Sequence, residues 1–284
     1  MAPITRLDHV VIAVKNLDSA AATYRKFGFT LTPRGLHEGK GTGNHCIMFA
    51  NTYVELLGIV DETGAKGRLA ERVNARGEGG MALAYGADDA DKTFAALREA
   101  GIDAETPNDL ARPLDLDGQR QMVRFRNIML PGLKLQDTMQ FVCTHKTPEL
   151  TRARHEWQLH PNGATRVNDV VIVADKPIEH LDEFGMLFGP DNVALSVSNP
   201  SSMGVRLENS NITVKPKSNV QPPDGAETDK SPSRGIVALT IRVNEIDAVA
   251  AMLDMGRVPH REANHRIVVP ATAAHGITLT FAED

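Results

Sequence analysis

Leu7-Asp8-His9-Val10-Val11-Ile12-Ala13-Val14 is a short apolar run with one imidazole in it, and it reads as a buried strand. After it, Leu17, Ala20, Ala21, Tyr24 and Phe27 recur at helical spacing, and Gly28 ends the helix. Three further extended stretches follow, at 29–37, 44–50 and 52–59, and the last of them carries Glu55. The unit is βαβββ, with a histidine on its first strand and a carboxylate on its last. Both side chains bind divalent metals. The chemistry therefore depends on whether the first and last strands lie side by side.

The same order recurs three more times. A second unit opens at Met81-Ala82-Leu83-Ala84-Tyr85, with a helix through Phe94 and Leu97 and strands near 103–106, 119–130 and 135–144. A third opens at Asp169-Val170-Val171-Ile172-Val173, with strands near 192–198, 202–208 and 211–215. The fourth opens at Ile236-Val237-Ala238-Leu239-Thr240-Ile241, and its strands fall near 258–262, 265–270 and 276–282. Repetition on this scale outweighs any single motif. One helix and three hairpin-spaced strands per unit argue against a doubly wound parallel sheet, and no glycine-rich phosphate loop follows a strand. A polar stretch at 146–165 and a Pro/Ser/Asp-rich stretch at 215–234 separate the later units. The expected class is α+β, with four modules paired into two tandem domains: 1–145, a linker 146–165, and 166–284.

With 284 residues, 42% hydrophobic, the chain can bury a sizeable core. A net charge of -5 offers no footprint for nucleic acid or an anionic membrane. No apolar run approaches the length of a membrane span. The chain enters a strand within about six residues, so no signal peptide is expected. Two cysteines, Cys46 and Cys143, read as small buried residues of a reduced, cytoplasmic protein.

The motifs at residues 7–14 and 53–58, on four βαβββ units, resemble the vicinal oxygen chelate superfamily. That group includes glyoxalases, bleomycin-resistance proteins and extradiol dioxygenases. Cys143-Thr144-His145-Lys146-Thr147-Pro148-Glu149-Leu150 and His160-Pro161-Asn162-Gly163-Ala164 look like its glyoxalase-like subgroup. The resemblance implies paired modules that curve into a cup around one divalent ion (Zn, Ni, Mn or Fe), with ligands from the first and last strands. Carried over, it makes His9 and Glu55 ligands, with Glu55 also the base. In the second unit the matching slots hold Met81 and Phe141, a departure from the pattern. His145, further along the face of Phe141, is the third candidate ligand. In units three and four the slots hold Asp169, Ala238, Thr213 and Thr280, so the C-terminal pair reads as a degenerate structural or dimerising copy.

Two further expectations concern substrate. Arg120, Met122, Arg124 and Arg126 alternate along one strand face, and Arg120 and Arg124 are candidates for binding a carboxylate. His45 is a candidate cup-lining residue. Trp157, in the linker, is read as packing the two halves together, with capping of the cup as the alternative. The most fitting activity is that of a metal-dependent lyase or isomerase on a small oxygen-rich substrate. An Fe(II) dioxygenase at the same residues and a metal-free binding protein are the alternatives. A small molecule is the expected partner, with a homodimer as a further expectation.

Overall fold

The computed structural model describes residues 2–37, 41–60, 68–133, 135, 137–219 and 234–284. Most of the expected loop 215–234 lies outside the described residues. The first module is β1 (Arg6–Val14), α1 (Leu17–Lys26), β2 (Gly35–His37), β3 (Thr42–Met48) and β4 (Tyr53–Ile59). A helix the sequence reading did not anticipate, α2 (Arg68–Arg76), precedes the second module. That module is β5 (Gly79–Gly86), α3 (Ala90–Glu99), β6 (Asn108–Leu116), β7 (Gln119–Met129) and β8 (Met139–His145). A short helix, α4 (Pro148–Thr151), leads into the third module: β9 (Ala164–Val173), α5 (Leu181–Phe188), β10 (Val193–Leu195), β11 (Met203–Arg206) and β12 (Asn211–Lys215). The fourth is β13 (Gly235–Val243), α6 (Ile246–Met255), β14 (Arg261–Ala263), β15 (Arg266–Val269) and β16 (Thr278–Glu283).

The modules pair into two eight-stranded sheets of the same topology, β2-β3-β4-β1-β5-β8-β7-β6 and β10-β11-β12-β9-β13-β16-β15-β14. The fold is α+β, built as two tandem eight-stranded cups of the same topology, as expected. In every module the first and last strands are parallel neighbours. That is the adjacency on which the His9 and Glu55 reading depends.

Alternation along β1 divides the molecule into a core and a cup. Val10, Ile12 and Val14 point to the convex side, where Ala20 and Tyr24 of α1 meet them in a hydrophobic core. That core runs unbroken into the second domain through Val170, Ile172, Leu239 and Phe281. His9, Val11 and Ala13 point to the concave side. There Val11 packs with Ala82, Ala84, Phe141 and Cys143. The far end of this cup is stopped by α2, whose Leu69 and Val73 lie on Ala13. Around the rim the edge strands β2 and β6 touch, so the N-terminal sheet nearly closes on itself.

Two other departures have simple causes. The sixth strand begins after Pro107 rather than near 103, and Pro113 within it masks its strand character. Proline is tolerated there because β6 is an edge strand. Trp157 does not join the two halves: it packs on Cys46, Met48, Leu114 and Val123 and covers the N-terminal cup.

Candidate metal and acid–base site

One irregularity in β1 shapes the site. Leu7 pairs with Tyr85 and His9 with Ala84, which leaves Asp8 as an extra residue. A bulge of this kind re-aims side chains that strict alternation would send to opposite faces. As a result Asp8 and His9, adjacent in sequence, meet at one buried point. His9 Nδ1 lies 2.6 Å from Asp8 Oδ1. On its other side His9 Nε2 stands 3.6 Å from Glu55 Oε2. Asp8 also receives His145, whose Nε2 is 3.0 Å from Oδ2. One carboxylate is thus held between two imidazoles.

Electrostatics follow from that arrangement. Burial alone would raise the pKa of Asp8, but the hydrogen bonds and charges of His145 and His9 outweigh it and hold the carboxyl well below the usual range. An ionised Asp8 accepts the Nδ1 proton of His9, which leaves the Nε2 lone pair directed at Glu55 when the ring is neutral. Thr151 Oγ1 is 3.3 Å from His145 Nδ1 and 3.0 Å from the Pro148 carbonyl.

The surroundings are aromatic and buried. Tyr53 stacks on His9 with ring centroids 4.3 Å apart, and Phe141 meets the same ring edge-on at 5.5 Å. Burial raises the Tyr53 phenol well above its ordinary pKa, and nearby Asp8 adds to the effect. Burial does the same to the Cys143 thiol and pushes that of Cys46 up to about 12. Glu55 is positioned on its other side by Asn44, whose Nδ2 donates to Oε1 at 2.6 Å.

His9 and His145 therefore flank Asp8, a residue that sequence reasoning passed over, and Glu55 stands on the far side of His9. Among the described residues, however, the three groups whose ligand atoms all lie within 4.8 Å of one another are Asp8, Cys143 and His145. His145 faces Asp8 rather than Glu55. Two donors 3.6 Å apart, as His9 Nε2 and Glu55 Oε2 are, are spaced as neighbouring ligands of one ion with bonds of about 2.0–2.2 Å. This pair fits a divalent ion, and His145 becomes a third ligand only by turning away from Asp8.

The remaining expectations need correction. His45 pairs with Leu56, on the convex side, and its Nδ1 bonds the Thr32 carbonyl at 2.8 Å. It is a core residue; the parity of Cys46 opposite Glu55 would have revealed this. In β7 the buried Val123 joins the cup cluster with Phe125, so Arg120 and Arg124, at even positions, are exposed on the opposite face. Arg126, on that face, is taken up by Asp91 and Asp109. The guanidinium that does face the cup is Arg112 of β6, which pairs with Val123 and lies over the Phe125 ring at 6.0 Å. In the second module, Met81 is the extra residue of a matching bulge in β5. The counterpart of His9 is Ala82, and that of Glu55 is Phe141, as expected.

The glyoxalase-like domain family matches residues 7–184 of the chain. Among solved structures, a hypothetical protein from Staphylococcus aureus superposes with a TM-score of 0.70 at 12% identity, covering 99% of this chain and all of that one. A mutant 4-hydroxymandelate synthase from Streptomyces coelicolor gives a TM-score of 0.59 at 12% identity, covering 100% of this chain and 93% of that one. At such identities the likeness is one of fold. Among curated proteins none matches the chain.

Proposed function

Since the chain belongs to the glyoxalase-like domain family, we propose that its N-terminal cup is the active site of a metal-dependent lyase or isomerase acting on a small oxygen-rich substrate. The observation that carries this reading is His9 Nε2 opposite Glu55 Oε2 at 3.6 Å, on strands that the fold makes neighbours. His9 and Glu55 would hold a divalent ion, with His145 the third candidate. When bound, such an ion would supply Lewis-acid polarisation of substrate oxygens.

The chain's own groups have separate tasks. Asp8 fixes the tautomer and orientation of His9, as carboxylates do behind metal-bound imidazoles. Glu55 keeps Oε1 on Asn44 and leaves Oε2 turned to His9, placed to accept a proton from substrate. Val11, Phe141 and Trp157 exclude water, which strengthens every charge interaction inside. Titration of chelator-treated protein with zinc, nickel, manganese and iron(II) tests the reading. One site is expected, weakened on the order of 100-fold in Glu55→Gln. An iron preference with oxygen uptake would favour the dioxygenase alternative.

A second reading, a metal-free binding protein, is favoured by one observation: Ala82 and Phe141 fill the second module's slots with apolar groups. Failure of all four metals to bind would select it.

A further inference from the structure

A run of contacts leads around the cup wall. Glu55 meets Asn44 at 2.6 Å. Asn44 Oδ1 and Arg112 Nη1 both crowd the space beside Gly35, where a Cβ would run into each of them. Arg112 lies over Phe125, and Phe125 meets His145 edge-on at 5.2 Å. His145 returns to Asp8. The guanidinium therefore stands on the cup wall, separated from Glu55 by one amide.

Arg112 combines a place on the cup wall with a missing partner. Among the described residues no carboxylate stands within ion-pair distance of it, whereas Arg126 on the outer face is held by Asp91 and Asp109, and the half-buried Arg72, which also lacks a carboxylate, is engaged by the Gly77 and Gly80 carbonyls. It is half-buried, in a wall whose other members are Leu114, Val123, Phe125 and Trp157. A guanidinium drawn into apolar surroundings without an anion forfeits hydration and gains no charge partner. A planar anion arriving there would receive two parallel N–H donors, the geometry guanidinium groups match best. The net charge of -5 does not draw anions to the protein, so attraction must be local.

Building on the active-site reading above, we infer that Arg112 is the specificity-determining residue for a substrate carrying a carboxylate next to an apolar or aromatic body. The carboxylate lies on Arg112 with its body along Phe125 and Trp157, and this sets the reacting carbons toward Glu55 and His9. Gly35 is the residue that leaves space for both polar side chains of this wall.

The test uses matched pairs that differ in charge and hardly in shape: phenylacetate against phenylacetamide, and butanoate against butanamide. Each is titrated calorimetrically into the full chain and three variants. Wild type should prefer a carboxylate over its amide about 10-fold or more. Arg112→Met, which keeps the hydrocarbon over Phe125, should bind acid and amide alike. Arg112→Lys should restore part of the preference, and Arg124→Met, on the outer face, should match wild type. Two results overturn the inference: neither carboxylate binding at about 10 mM, or a preference that survives Arg112→Met, as a carboxylate captured by an ion at His9 and Glu55 would show. Metal content of the same samples separates the two claims. Preference without metal removes the metal reading and keeps this one; metal without preference does the reverse.

Discussion

The two cups of this chain are the same backbone with different contents. In the N-terminal cup the bulge places Asp8 ahead of His9, with Glu55 one strand over. In the C-terminal cup the slip falls at Asn168, ahead of Asp169, and Thr213 occupies the place of Glu55. There Thr213 Oγ1 simply donates to Asp169 Oδ1 at 2.8 Å. Burial raises the Asp169 pKa despite that bond, where two histidines drive that of Asp8 down. The walls differ as well. Strands β6 and β7 run nine and eleven residues, against three and four for β14 and β15. Val11, Ala82 and Ala84 are buried, while Val171, Thr213 and Ala238 are half-exposed. The fold supplies adjacent strands and a bulge in both halves; three side chains and the height of the wall decide whether chemistry is available there.

The largest expected effect concerns the strap that closes the N-terminal side. His160 accepts from Thr30 N and donates to the Met48 carbonyl, between Phe29 and Phe49. Burial pushes its imidazole down to about 4 from 6.5, against the bond to Met48. The unfolded chain therefore takes up this proton first. The stabilisation is full above pH 6.5 and is lost as the pH falls toward about 4, roughly 3 kcal/mol in all. Urea unfolding at a series of pH values should show it, and His160→Gln should flatten the curve over that window. An unchanged acid slope in the variant would mean that other groups carry it.

Next is Asp8→Asn, which keeps the shape of the site and removes the charge behind His9. Metal affinity should fall about 10- to 100-fold while Asn168→Ala, at the matching C-terminal bulge, changes nothing. Equal effects at both positions would erase the contrast between the cups. The smallest effect is expected from Gly35→Ala. Its Cβ would crowd Asn44 and Arg112, two side chains that can shift, so metal affinity should drop by about 5-fold, near 1 kcal/mol. No change would show that Asn44 does not position Glu55.

Much of this was legible in the sequence, for identifiable reasons. Apolar strands and helical spacing mark the modules, and the family resemblance those modules carry implied His9 and Glu55 on neighbouring strands, with Asp169, Thr213, Ala238 and Thr280 in the matching later slots. Asp8 was hidden because strict alternation sends it away from His9, and only the slip against β5 reverses that. The same kind of slip moves the second module's slot from Met81 to Ala82. Arg112 was overlooked because Pro113 made its segment look unlike a strand, while the regular arginines of β7 drew attention to the wrong face. Helix α2 offers only Leu69 and Val73 as an apolar stripe, too short a period to register.

The central claim is that metal binding belongs to one cup alone. Elemental analysis of the chain purified without chelator tests it most directly, in wild type, in His9→Ala/Glu55→Ala and in Asp169→Ala/Thr213→Val. One divalent ion per chain is predicted in wild type and in the C-terminal double variant, and none in the N-terminal one. Two ions per chain, none in wild type, or an ion that survives His9→Ala/Glu55→Ala would contradict the account.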